Sequence, residues 1–517
     1  MRRREFLGAV AAGAGLLALD RWHAILEVAA AEPARRGGTL TWAYTTIPIR
    51  MDPVWTQART DSTTLSNICQ GLVRANETAT AVEPALAERW TVSGNGLTYT
   101  FYLRDTRFHN GKPVIADDVV ASLERARTQG VYKWTLAEAK TIVKLNDKTV
   151  AIVLNSPVAS MLARLAVLSN AVFPKEEIAA TGQKEFTKPI GTGPFVVKEF
   201  VSNDHLTLEA NPHYWETAPD GKPYPYLDQV IIKQVPEDTT KVLQIQAGNL
   251  NGAEAIPFSQ LAVLKRDPRG QLLTFAQQQV YFLVVQTTRP PFDDVKVRQA
   301  MSLALDRKVY VDRATAGLAV PANSFMPRSG LFWNSRASLP FDPARAKQLM
   351  KESKYPNGRS GITLQLPSGS QLGRDNAVLA QQMWGDIGIQ VQIQETDGAA
   401  LVAAWYKGAY DAISGYQWTN GMMDPDQLVQ FFFVDPRMNS GYQPSAHAVQ
   451  LVKAAAEELD QRKREALYNE IQNIYNQDVG GTISLYYTPS VNYLTPNVRG
   501  FLRTPLSVPL YWKVSLA

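Results

Sequence analysis

Residues 99 to 126, YTFYLRDTRFHNGKPVIADDVVASLERA, bring a histidine, an asparagine and two adjacent aspartates into one short span. His109, Asp117 and Asp118 belong to the types that ligate metals or exchange protons once they converge in space. Their local context points to a different use. His109-Asn110-Gly111 reads as a turn. PVIADDVVASLERAR then opens a helix, with Asp117 placed to cap it and Asp118 near the positive end of its dipole. Val119, Val120, Leu123 and Ala126 recur on one face of that helix. Beyond residue 31 the histidines are His109, His205, His213 and His447, and no H-x-x-x-H pair or Cys/His cluster accompanies them. No metal site and no cofactor are expected.

Other chemistry has little support. The sequence holds no G-x-S-x-G elbow, no Walker phosphate loop, no H-E-x-x-H and no calcium-loop pattern. IGTGPF places Gly191 and Gly193 correctly for a dinucleotide loop, but Val196 stands where the third glycine belongs, so it reads as a tight turn into the strand FVVKEF. Aromatic residues are more suggestive. AAWYKGAYDAISGYQWTNGMMDPDQ holds Trp405, Tyr406, Tyr410, Tyr416 and Trp418, followed by Asn420, Asp424 and Asp426. Aromatic walls with a few convergent polar groups suit an organic ligand, although the same rings also suit a packed core. AYDAISGYQW reads as a strand, and the loop at its end is where α/β proteins tend to bind ligands.

The elements that would position these residues are of mixed α/β type. RWTVSGNGLTYTFYLR is a hairpin around Asn95-Gly96. FDDVKVRQAMSLALDR and FDPARAKQLMKES are helices with acidic starts, and Pro343 suits a first helical turn. NAVLAQQMWGDIGIQVQIQE is a helix ending near Gly388, followed by a strand in which Ile389, Val391 and Ile393 alternate. EELDQRKREALYNEIQNIYNQD is a late helix before the strand TISLYY.

With 517 residues, 45% hydrophobic and 20% charged, the chain has the length for two or more cores. A net charge of +5 without any block of like charges gives nucleic acid little support as a partner. The N-terminus, MRRREFLGAVAAGAGLLALD, sets Arg3 and Arg4 before Phe6 and Leu7 and a short Ala/Gly-rich apolar run. This order resembles the twin-arginine export signal, and Ala29-Ala30-Ala31 offers a cleavage site. No later segment is apolar for long enough to cross a bilayer, and the single cysteine, Cys69, excludes a disulfide framework. A periplasmic, monomeric protein is expected.

Several segments together resemble solute-binding protein family 5, the extracytoplasmic receptors of dipeptide, oligopeptide and nickel ABC importers. They are VEPALAERWTVSGNGLTYTFYLRDTRFHNGKPVIADDVVASLERA, KPIGTGPFVVKEF with NPHYW, PFDDVKVRQAMSLALDR, FDPARAKQLM, GDIGIQVQI and YQWTNGMMDPDQ, in the family's order along nearly the whole chain. The resemblance implies the two-lobed α/β fold of the periplasmic binding proteins (class II, large subtype with an extra subdomain), with the ligand cleft between lobes. Its expected divisions are a signal peptide over 1–31, lobe I over 37–282 plus 485–517, and lobe II over 283–484. The extra subdomain falls near 76–189. The implied function is delivery of a peptide-like or related organic solute to an ABC transporter membrane permease, without covalent chemistry. A nickel or haem carrier of the same family and a periplasmic hydrolase are the alternatives.

Where this family brings both lobes onto ligand, the matching positions are Tyr44, Thr45 and Thr46, then Gln286, Thr287 and Arg289, with Trp405, Tyr416, Trp418, Asn420, Gly421 and Asp424 from the aromatic segment. In dipeptide-binding relatives an aspartate three positions after the tryptophan holds the ligand's amino terminus; here WTNGMMDPD puts Gly421 there. The relatives' carboxylate-binding arginine falls at Pro367 in an ungapped match, with Arg374 nearby. Poor binding of free-ended dipeptides is therefore expected, because a buried ammonium lacking its carboxylate costs several kcal/mol.

Overall fold

The chain builds two large sheets and crosses between them twice. The computed structural model describes residues 34–56, 58–419, 421–434 and 440–517, without the side chains of Tyr416, Trp418 and Thr419. The expected signal peptide lies outside the described residues. In the first sheet the strand order is Gln271–Phe275, Ser490–Leu494, Gly252–Glu254, Thr39–Tyr44, Gln229–Gln234, His205–Ala210, Phe195–Val201. In the second it is Val320–Pro321, Thr482–Tyr487, Gln279–Val285, Ala412–Thr419, Arg359–Pro367, Ile389–Thr396.

Sheet membership changes between Phe275 and Gln279 and changes back between Tyr487 and Ser490. The expected lobe boundaries at 282/283 and 484/485 fall inside the strands Gln279–Val285 and Thr482–Tyr487. The two crossings lie side by side, since Thr488 Oγ1 donates to Gln279 Oε1 at 2.6 Å. Crossings this short leave the lobes few backbone dihedrals through which to move.

A third, four-stranded sheet is inserted between the first-sheet strands Thr39–Tyr44 and Phe195–Val201. Its order is Ala87–Val92, Thr98–Leu103, Thr149–Leu154, Ala139–Asn146, and the helix Ala116–Gln129 packs on it. Gly96, at φ +69°, makes the hairpin turn read from the sequence. Arg125 of that helix is buried against Asp52, with Nη1–Oδ1 at 3.1 Å, and the Phe186 N–H donates to the same carboxylate at 3.0 Å. A buried pair with its remaining oxygen also satisfied is strongly destabilising to break, so the inserted unit is fastened to the first lobe.

In the second lobe FDPARAKQLMKES forms the expected helix, whereas FDDVKVRQAMSLALDR, expected as one helix, ends at Leu303 and is followed by a second, separately capped helix. Asp294, Asp306 and Asp342 accept backbone N–H groups at the starts of Val295–Leu303, Arg307–Ala314 and Pro343–Glu352. The helix Gln371–Gly385 starts five residues earlier than Asn376, because Ser370 accepts the Gly373 N–H and caps it there. Trp384 on this helix is fully buried and donates to the Met301 carbonyl at 3.2 Å.

The opening span proves to be scaffold, with one correction. The helix begins at Ala116, so Asp118 rather than Asp117 occupies the third helical position and accepts the Ile115 N–H at 3.1 Å. Its other oxygen accepts the Lys175 N–H at 2.9 Å, while Asp117 pairs with Lys144 at the surface. His109 ties two turns together: Nδ1 accepts the Gly191 N–H and Nε2 donates to the Gly193 carbonyl, each at 3.2 Å. Gly191 and Gly193 press on the Ile68 backbone, where a Cβ would come within 2.2 Å and 2.6 Å respectively. Only glycine permits that approach.

Burial, with His213 nearby, pushes the His109 imidazole down to about 4 despite its bond to Gly193. Its unfolded value is near 6.5. A depressed folded value means stability that is fully present above about pH 6.5 and is lost as pH falls toward 4. Between pH 7 and pH 5, urea unfolding should show a loss of roughly 2 kcal/mol at most from this group. His109→Asn should be less stable at pH 7 and lose less between the two pH values; an unchanged pH dependence would contradict the assignment.

Candidate functional site

A cavity of about 490 Å³ lies where elements of both lobes meet, within the range of organic-ligand sites. The first lobe contributes Arg59, Arg74, Ser169, Trp512 and Lys513 to its wall, and the second contributes Gln417, Gly421 and Gln427. Local structure explains why these residues arrive there. Arg59 opens the short helix Arg59–Leu65, whose approach is held by Asp61 accepting Thr56 Oγ1 at 2.7 Å and the Ile49 N–H at 3.0 Å. Trp512 sits in the turn Tyr511–Lys513, which is pinned to the first sheet by the Tyr511 and Tyr44 hydroxyls at 2.9 Å. The strand Ala412–Thr419 runs antiparallel to Gln279–Val285, pairing Thr419 with Gln279, so its C-terminal end returns to the crossing. That return carries Gln417 and Gly421 to the cavity.

The cavity's charges are mostly paired. Arg74 donates to Glu83 at 2.7 Å and to Glu216 at 2.8 Å, and Lys513 pairs with Glu77. Glu254 receives two guanidiniums: Arg59 Nη2 at 3.1 Å, and Arg503. Burial opposes ionisation of Glu254, but Arg503 and Arg59 outweigh it and hold the carboxyl down at about 2.

Opposite lobes are also joined by an ion pair. Asp426, 1% exposed at the start of the second-lobe helix Asp426–Phe433, accepts from Ser160 Oγ at 2.7 Å and from Arg164 Nη2 at 2.6 Å. Burial disfavours the Asp426 anion, yet Arg164 and Ser160 hold its carboxyl below the ordinary range. The Ala159 N–H also donates across to the Ala456 carbonyl at 2.9 Å, and Ala79 and Ala163 pack with Met422 and Met423. The structure is therefore of closed lobes.

The sequence-expected site residues are dispersed. Gly421 lines the cavity. Tyr44 is buried behind the wall, and burial pushes its hydroxyl up to about 12. Thr45 accepts from Lys241 at 2.6 Å, and Thr46 is exposed outside the described cavity lining. Gln286, Thr287 and Arg289 follow the strand Gln279–Val285 at its far end from the crossing, roughly 20 Å along. There Thr287 donates to the Ser440 carbonyl at 2.9 Å and Arg289 pairs with Asp411 at 2.9 Å. Trp405 is 3% exposed in the second-lobe core with Tyr410, while Tyr406 is exposed on the surface. Asp424 is buried against Arg464, with oxygens at 2.5 and 2.9 Å, so it joins two parts of one lobe. The backbones of Tyr416 and Trp418 pair with Phe282 and Val280, and Asn420 lies outside the described residues.

Sequence reasoning missed Arg59, Arg74, Trp512 and Lys513. The adjacent aromatics and lysine of PLYWKV are the local sign that would have pointed to the last two. Among the described residues no group of three or more His, Cys, Asp or Glu side chains is placed to hold a metal ion. No described helix is long and apolar enough to cross a membrane.

Known proteins share this architecture. The heme-binding protein A of Haemophilus influenzae is 28% identical, with 100% of each chain covered. The glutathione-binding protein GsiB of Salmonella typhi is 27% identical over 94% of this chain and 96% of its own length. The ABC transporter-associated periplasmic binding protein DppA from Helicobacter pylori, solved in complex with the peptide STSA, superposes with a TM-score of 0.81 at 27% identity. That match covers 93% of this chain and 98% of that one. The sequence pattern of the bacterial extracellular solute-binding proteins, family 5 Middle, matches residues 81–440. With both lobes, both crossings and the cavity between them in place, the chain belongs to the family 5 bacterial extracellular solute-binding proteins.

Proposed function

We propose that this chain is the periplasmic capture component of an ABC importer, taking a peptide-class organic solute between its lobes and presenting the closed form to a membrane permease as a monomer. The observation that carries this reading is the cavity walled by Arg59, Arg74 and Trp512 from one lobe and Gln417, Gly421 and Gln427 from the other. A solute touching both walls favours the closed arrangement by its differential affinity for it, which is how a ligand shifts such an equilibrium. No catalysis is assigned, since binding and hinge closure suffice for the role. The relatives named for glutathione and crystallised with a peptide support the solute class.

Gly421 shapes the choice of solute. A side chain there would meet little beyond Gln427 Oε1, 3.7 Å from the position of its Cβ, so the glycine leaves room and supplies no anion for an ammonium. Calorimetry on ligand-stripped protein should give no micromolar binding of Ala-Ala or Gly-Leu, and measurable binding of tripeptides or glutathione. Gly421→Asp should improve dipeptide binding by tenfold or more, equivalent to about 1.4 kcal/mol. Tight dipeptide binding by the parent would overturn the assignment of Gly421, and binding of haem or Ni²⁺ alone would overturn the solute class.

Residues 1–31 are proposed to direct export by the twin-arginine route. Replacing Arg3 and Arg4 together with lysine should leave unprocessed precursor in the cytoplasm, detected by fractionation and immunoblotting. Normal processing of the double variant would contradict that route.

A further inference from the structure

Two arginines share one carboxylate at the cavity wall. Glu254, 5% exposed, is bound from behind by Arg503, whose side chain is fully buried, and from the cavity side by Arg59, whose side chain is 39% exposed. Arg59 contacts it at 3.1 and 3.5 Å, the longer distance being at the limit of a hydrogen bond. The group therefore carries one surplus positive charge, and its exposed end is Arg59. No comparable surplus exists elsewhere on this wall. Lys513 is matched by Glu77, and Arg74 is outnumbered by Glu83 and Glu216. Asp61, two residues beyond Arg59, is engaged by Thr56 and by the Ile49 N–H.

A partly exposed guanidinium with a surplus of charge is complementary to a negatively charged group rich in acceptors.

We propose that Arg59 is the anchor for an anionic group of the solute, a carboxylate in a peptide-class ligand. This rests on the peptide-class reading above and narrows it to solutes that present a free carboxylate to the first lobe. Arg59 is well suited to the task because the fork of a guanidinium can bind a second carboxylate while retaining Glu254.

The test uses the full mature chain, stripped of ligand and dialysed against a mixed tripeptide pool with free carboxylates. A parallel dialysis uses the same pool with every carboxylate methyl-esterified, and retained peptides are quantified by mass spectrometry. The parent should retain the free acids at least tenfold over the esters. Arg59→Gln should lose that preference by at least tenfold, and Arg59→Lys should keep part of it, both at parental melting temperature. Equal retention of acids and esters by the parent would overturn the anchor while leaving the peptide class standing. An undiminished preference in folded Arg59→Gln would equally remove Arg59 from the role. Retention of neither pool would overturn the peptide class and the anchor with it. Should Arg59→Gln not fold, the comparison of acids with esters on the parent still decides whether a carboxylate is required.

Discussion

Asp426 begins a helix of the second lobe, yet its carboxylate is taken up by Ser160 and Arg164 from the inserted unit on the opposite side of the cleft. Removing two charges from water costs several kcal/mol per ion, and the attraction between them offsets this only when geometry and additional hydrogen bonds are good. Here the carboxylate has two donors, and Arg164 Nε donates to Ser160 Oγ at 3.0 Å, so the geometry requirement is met. When the lobes part, both groups regain water, and the net difference between open and closed becomes small. A contact of this type specifies one closed arrangement without making it overwhelmingly stable. That balance is what a capture protein needs, because a solute of moderate affinity can then decide which state is populated.

The same balance depends on rigid bodies on either side. Asp52 and Arg125 bind the inserted unit to the first lobe, so the unit and the first sheet move together. In the second lobe, Asp424 and Arg464 fix the segment that carries Gly421 and Asp426. Buried pairs within each lobe therefore transmit motion at the short crossings to the cavity wall. The two fastening pairs, Asp52–Arg125 and Asp424–Arg464, are matched one to one, whereas the Arg59–Glu254–Arg503 group at the cavity has a surplus.

Much of this was readable in the sequence where local chemistry decides. Acidic caps before apolar-periodic segments located the helices at Val295 and Pro343, though not the one at Arg307, and Asn95-Gly96 located a hairpin. Asp117 and Asp118 show how fine the limit is: a helix starting at Ala116 moved the capping function by one residue. The cavity was less legible because it is assembled from distant segments. Gln286, Thr287 and Arg289 follow the crossing strand in sequence, but that strand runs away from the cleft, and only its antiparallel neighbour returns to it. Trp405 and Tyr410 met the compositional criterion for a ligand wall and instead fill the second-lobe core, since aromatic rings serve both purposes. Arg59 gave no local sign, because its significance comes from Glu254 and Arg503, hundreds of residues away.

The lobes are expected to close over a solute, with the Asp426 contact formed in the closed state alone. Small-angle X-ray scattering of the purified protein, first with co-purified solute retained and then after stripping by partial unfolding and refolding, measures this. The loaded protein should have the smaller radius of gyration. Asp426→Ala, loaded in the same way, should shift toward the larger, stripped value. Superimposable scattering from loaded and stripped parent protein would contradict closure over solute, and an unshifted Asp426→Ala would contradict the part given to the ion pair.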